Sequence, residues 1–226
     1  MVIANMADPQ VSKISEFDVV ADVDAILQAV QATELFRFHR QRFWEAETSS
    51  TDSAGDLGIL ETVAAHSWGV ADAALLLQPH FPDLNGNTCL RLAILHDKPE
   101  LISGDLDPLG EDGTGLDTHA FNVDRQLEKA EIDRAAAREY AQTLRPQIAE
   151  RQLADLLQYI AGTTAEARFV KAVDKIQALA YVVVKKKSGL VPSHMDFTIR
   201  FSRKAIDYFP RLSAHYFELR SRLVSI

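Results

Sequence analysis

The chain has 226 residues, 47% of them hydrophobic and 25% charged, the make-up of one globular domain with a proper core. A formal net charge of −8, with Lys185-Lys186-Lys187 as the one local basic cluster, excludes nucleic acid as a partner, because neutralising phosphates needs clustered cations. A single cysteine in an apolar segment (Cys89), no apolar leader at the start and an apolar stretch at 179–184 too short to span a bilayer exclude an internal disulfide, a signal peptide and a membrane anchor; a cytoplasmic protein is expected.

Helical periodicity dominates the chain and strand alternation is nearly absent. Val19, Val23, Ile26, Leu27, Val30 and Leu35 recur at helical intervals over residues 19–36, with Asp22 and Asp24 near the favourable end of the helix dipole. Residues 46–58 are poor in bulky apolar side chains and read as a loop. A helix is expected from about Leu60 to Gln78, stopping before Pro79, and another from Thr88 to His96 after a turn at 83–87. A second loop, rich in Gly and Asp, follows at 103–118. Longer helices are expected over 119–144, 147–161, 165–187 and 196–222, the last interrupted near Pro210. The fold class is all-α, a bundle of about seven or eight helices with two loops long enough to be functional.

Three distant segments supply one set of metal-ligating side chains: His66 in VAAHSWGVA, His96-Asp97 in AILHDKPE, and Asp174 in FVKAVDKIQA. Two imidazoles and two carboxylates suit one divalent first-row cation with coordination positions to spare, and water bound there has its pKa pulled toward neutrality. His66 has Val63 and Val70 on its helical face, and Asp174 shares a column with Ala167, Val170, Ala178 and Tyr181, so both point inward. Neighbours on a helix lie about 100 degrees apart, so His96 and Asp97 reach one ion only at a helix end. Lys98-Pro99 provides that end, since proline disfavours helix in the residue before it. Taken singly, His66 also reads as a hydrogen-bonded core histidine, and Asp174 as the partner of Lys171 or another nearby base.

The order H…HD…D, with a trailing HDxxE…GD formed by Glu100 and Asp105, resembles the HD superfamily of metal-dependent phosphohydrolases. LFRFHRQRFW, VAAHSWGVADAALLL, AILHDKPELISGDLDP and AEARFVKAVDKIQALAY resemble its small bacterial 5'-deoxynucleotidase-like branch over roughly residues 35–185. The resemblance implies a single HD domain over 1–226, with a core of about 20–187 and a C-terminal helical extension at 190–226. It implies one divalent ion (Mn, Co, Fe, Zn or Mg) on His66, His96, Asp97 and Asp174, because di-iron relatives place two more histidines where this chain has only His119. It also implies that Glu100 orients or deprotonates the attacking water and that Asp105 serves the leaving group or the sugar. Arg40 would bind phosphate, with Arg37 and Arg42 close by, and Lys98 would reach the same phosphate. Ala65 stands where the family usually has an acid, which implies a lost contact behind His66. LLQYIAG lacks the family's Glu-Tyr pair.

The expected function is therefore hydrolysis of a small phosphorylated substrate, a nucleoside monophosphate and in particular its 2'-deoxy form, by a homodimer with no membrane or nucleic-acid partner. Two alternatives remain: the same chemistry on another phosphorylated metabolite, such as a guanosine polyphosphate or a sugar phosphate, and a non-catalytic metal- or nucleotide-binding protein.

Overall fold

The computed structural model describes residues 16–37, 61–185 and 192–225. Ten α-helices run through them: α1 (Glu16–Val30), α2 (Val63–Leu77), α3 (Gly86–Leu95), α4 (Glu100–Ser103), α5 (Val123–Gln142), α6 (Pro146–Ala161), α7 (Ala165–Lys185), α8 (Pro192–Ser202), α9 (Lys204–Tyr208) and α10 (Ser213–Val224). The expected all-α bundle is present, with α4 and α9 as single short turns beside eight longer helices. Among the described residues no helix is long and apolar enough to cross a membrane.

Local chemistry sets most boundaries. The Thr62 side chain accepts from Ala65 N at 3.1 Å and starts α2, and Asn85 accepts from Thr88 N at 3.0 Å to start α3. Asn122 accepts from both Asp124 N and Arg125 N, so α5 begins a few residues after the position periodicity suggests. α2 stops at Leu77, and the chain turns through a 3-10 segment that contains Pro79. Gly162 closes α6 in the left-handed region at φ +62°.

α7 is the central helix, packed by α2, α3, α6, α8, α9 and α10. Its buried face, including Phe169, Val170, Val173, Ile176 and Leu179, merges with Val70 and Ala74 of α2 and with Leu92 of α3. The C-terminal helices enter the same core through Leu212, Tyr216 and Leu223. Phe81, Phe169 and Phe209 meet there edge to face, with ring centroids 5.1 to 5.8 Å apart. Cys89 is buried in this core and its thiol is pushed up to about 12 by burial and by Glu166, as befits a small hydrophobe rather than a reactive group.

Three features depart from the expectations. The C-terminal segment starts at Pro192 and breaks twice, not once. The Ser202 hydroxyl bonds back to Thr198 O at 2.6 Å as α8 ends, and Phe209 is extended (φ −144°, ψ 87°) ahead of Pro210. A second departure is an antiparallel bridge between Phe36 and Thr62, with Arg37 N donating to Glu61 O at 2.8 Å and Val63 N to Leu35 O at 2.9 Å. The third is the orientation of α1. Its alanines (Ala21, Ala25, Ala29) are partly covered, whereas Val19, Val20, Val23, Ile26, Leu27 and Val30 are exposed. The loop at 46–58 lies outside the described residues.

Candidate metal centre

α2, α3 and α7 converge on one point. His66 projects from the first turn of α2, and Asp174 from the middle of α7. His96 follows the last residue of α3, and residues 96–99 form a tight turn before α4, closed by Lys98 N to Leu95 O and Glu100 N to Asp97 O. The expected helix end at Lys98-Pro99 is therefore what brings His96 and Asp97 to a common centre. Ligating atoms of His66, His96 and Asp174 lie within 4.8 Å of one another, the single such group among the described residues. Asp97 Oδ2 joins them, 3.1 Å from His96 Nε2 and 3.6 Å from His66 Nε2, while Asp174 Oδ1 is 3.2 Å from His66 Nε2.

The other ring nitrogens fix how the imidazoles present themselves. His96 Nδ1 donates to Ala93 O at 2.8 Å, and His66 Nδ1 donates to Gln177 Oε1 at 2.5 Å. Both Nε2 atoms thus turn their lone pairs toward the carboxylates, and both are buried without a hydrogen-bond partner. Lone pairs facing carboxylate oxygens repel unless a cation stands between them, so the donor set fits a divalent ion. Burial and the Arg37 charge push the His66 pKa down, which favours the neutral ligand form. Burial opposes charge on His96 as well, but Asp97 overrides it and the direction is upward. Asp174 Oδ2 also accepts from Lys175 Nζ at 2.9 Å, so the base on Asp174 is Lys175, not Lys171, and it engages the oxygen that faces away from His66.

Behind His66 the structure supplies a carboxylate that the sequence reading missed. Glu61 is buried, its Oε1 accepts from Gln177 Nε2 at 2.8 Å, and its Oε2 is 3.6 Å from His66 Nδ1. The contact expected to be lost at Ala65 is provided by Glu61 and Gln177, and Ala65 itself is exposed. Gly69 allows this approach, since a Cβ there would stand 2.8 Å from Gln177 Nε2. The pairing of Glu61 with an arginine across a long loop left no mark in local periodicity.

A cavity of about 340 Å³ opens beside the ligands, lined by Arg37, Glu100, Asp105, His119 and Tyr159 among others. Glu100 is held well above the usual carboxylate range by burial and by repulsion from Asp97 and Asp105. Its Oε2 is buried with no hydrogen-bond partner. Arg37 lies 3.2 Å from Glu61 and stays firmly charged, because Asp97, Asp105 and Asp174 outweigh its burial. His119 lines the cavity but lies outside the ligand group, and burial with three nearby lysines lowers its pKa to about 3. Lys98 does not line the cavity; its ammonium donates to the Tyr140 hydroxyl at 2.9 Å on α5. Arg40 and Arg42 lie outside the described residues, and Arg37 is the arginine found at the site.

Known proteins resemble this chain in sequence and in fold. The chain is 32% identical to the 5'-deoxynucleotidase HDDC2 of Bos taurus over 152 residues, covering 65% of this chain and 67% of that protein. It is 34% identical to the Xenopus laevis protein of the same name over 143 residues, covering 61% and 64%. The chain therefore spans about two thirds of the length of these curated relatives. The crystal structure of a predicted metal-dependent phosphohydrolase from Magnetospirillum magnetotacticum superposes with a TM-score of 0.62 over 92% of this chain and 93% of that one, at 21% identity, a likeness of fold. An HD domain model matches residues 56–213, a span that includes His66, His96, Asp97 and Asp174, and the chain belongs to the HD domain family.

Proposed function

We propose that the protein is a divalent-metal-dependent phosphomonoesterase that releases phosphate from nucleoside 5'-monophosphates, 2'-deoxy forms among them. The observation that carries this reading is the pair of buried His Nε2 atoms, both turned toward carboxylates at the edge of a cavity that also holds Glu100 and Arg37. The relatives named as 5'-deoxynucleotidases support the substrate class. His66, His96, Asp97 and Asp174 would hold the ion. A divalent ion there would supply Lewis acidity and ease deprotonation of water. Mixed nitrogen and oxygen donors suit Mn, Co, Fe, Zn or Mg.

The remaining steps fall to the chain's own groups. Glu100 takes a proton from the attacking water, and the environment that raises its proton affinity makes its carboxylate a stronger base. Arg37, held by Glu61, neutralises phosphoryl oxygens as the water oxygen bonds to phosphorus and the ester P–O bond breaks. Asp105 returns a proton to the leaving sugar alkoxide. A phosphate-release screen over ribo- and deoxyribonucleoside monophosphates, run with each of the five metals, tests the reading. Release confined to other phosphorylated metabolites would move the substrate class, and no release from any compound would leave a binding protein.

The working unit we propose is a homodimer joined through α1. The exposed stripe of Val19, Val23, Ile26, Leu27 and Val30 carries no charge, so two copies can lay it face to face without the repulsion that a net charge of −8 sets up elsewhere.

A further inference from the structure

Four lysines from three helices line the cavity: Lys129 on α5, Lys171 and Lys175 on α7, and Lys204 on α9. Two are neutralised, Lys129 by Asp133 at 2.8 Å and Lys175 by Asp174 at 2.9 Å. Lys171 and Lys204 have no carboxylate within ion-pairing distance among the described residues. Their nearest companions are rings. The Lys171 ammonium stands 4.3 Å from the Tyr159 centroid and 5.8 Å from that of Tyr208, and Lys204 stands 5.2 Å from Phe201 and 5.8 Å from Phe121. Burial, followed by repulsion from Lys175, lowers both to about 8. A lysine lying over an aromatic surface is ordinary when its head reaches water. Two unpaired lysines lining one half-buried cavity, each repelled by Lys175, leave positive charge there that an anion would neutralise.

Their place in the cavity says which part of a ligand they meet. The Tyr159 ring packs edge-on against His96 at 5.3 Å and carries the Lys171 ammonium on the same ring, so Lys171 lies one aromatic ring beyond the ligand cluster. Arg37, the cation beside the ligands, comes from the segment before α2 and pairs with Glu61. Gly162 keeps room for the lysine stem, since a Cβ there would lie 3.0 Å from Lys171 Cε.

We propose that Lys171 and Lys204 form a seat for a second anionic group, so that the preferred substrate is a phosphomonoester bearing another phosphate across a sugar-sized spacer. This rests on the phosphomonoesterase reading for what happens at the ligand end, but the seat itself is testable without catalysis. Metal-free protein is titrated calorimetrically with two pairs of probes: deoxyadenosine 5'-monophosphate against deoxyadenosine 3',5'-bisphosphate, and a hexose 6-phosphate against the hexose 1,6-bisphosphate. At least one bisphosphate should bind about tenfold or more tightly than its monophosphate, the scale of one added charge-assisted contact. Lys171→Met with Lys204→Met, which keeps the apolar stems on their rings, should erase that gap and change monophosphate affinity by less than about twofold.

Equal affinity of both bisphosphates and their monophosphates for the unaltered protein would overturn the proposal whether or not the variant folds. So would a variant that weakens both members of a pair equally, which would mean that the lysines serve the same phosphate as Arg37. Phosphate release from the same four probes with metal present separates the two claims. A binding gap without any release would leave the seat standing and remove the esterase, and release without a gap would do the reverse.

Discussion

Burial gives His66 and Glu100 opposite tasks within one cavity. His66 is pushed toward the neutral form, with its Nε2 lone pair free for a cation, whereas Glu100 is pushed toward holding a proton. Asp97→Ala removes a carboxylate facing both imidazoles, and elemental analysis of the purified variant should find most of the metal lost. Glu100→Ala should keep the metal and lose about 10²–10⁴-fold in kcat, the usual contribution of a positioned acid–base group. If that variant stays within threefold of the parent rate, Glu100 is a bystander. Because Glu100 must be ionised to accept a proton, the rate should fall on the acid side at a pH above the ordinary carboxylate range. Arg37→Ala should raise KM as well as lower kcat/KM, while Lys98→Ala, whose ammonium is bound to Tyr140, should leave KM within about twofold. The four candidate ligands could be picked out of the sequence because their residue types are rare on apolar helical faces and their order is distinctive. Glu61, Gln177 and the lysines lining the cavity were not, since each depends on tertiary packing between segments far apart in the chain.

Helix positions follow periodicity closely where one face is buried by the bundle, as in α2, α3, α6 and α7. Ends were legible where a cap residue or proline marks them, and they slipped where Asn122 competed with an earlier start or where Ser202 turned its hydroxyl back on the helix. The contact between α2 and α7 is set by Gly69, one turn beyond His66, and this separates the stability of the helix from the geometry of the site. Alanine is favoured over glycine by about 1 kcal/mol inside a helix, which offsets part of the cost of disturbing the Gln177 hydrogen bonds. Gly69→Ala should therefore keep the protein folded with only a modest change in melting temperature. The added Cβ would displace Gln177, and through it the His66 ring, so metal affinity should fall by about 10-fold or more, as when a residue behind a metal ligand is lost. Unchanged affinity in a metal-competition titration would mean that Gln177 does not orient His66.

For the molecule as a whole, the sequence foretold a helical bundle and gave α1 an apolar stripe at helical intervals. Periodicity reports that a face is apolar and says nothing about which molecule covers it. With Ile26 at 65% and Leu27 at 62% exposure, the face is open in a single copy. Light scattering at micromolar concentration should give about twice the 25.1 kDa mass of one chain, and Ile26→Asp with Leu27→Asp should return it to one. A parent mass near 25.1 kDa would refute the dimer.

The Phe36–Thr62 bridge joins that outer face to the chemistry. Thr62 is at once the cap of α2 and the partner of the strand-like segment that follows α1, and the next residue along that segment is Arg37. Movement of α1 would thus be transmitted along residues 31–36 to Arg37 on one side and to the first turn carrying His66 on the other. In the dimer proposed above, such a connection makes the enzyme sense its own concentration: as dilution strips away the partner, each protomer should bind substrate less well while the core around α7 stays folded.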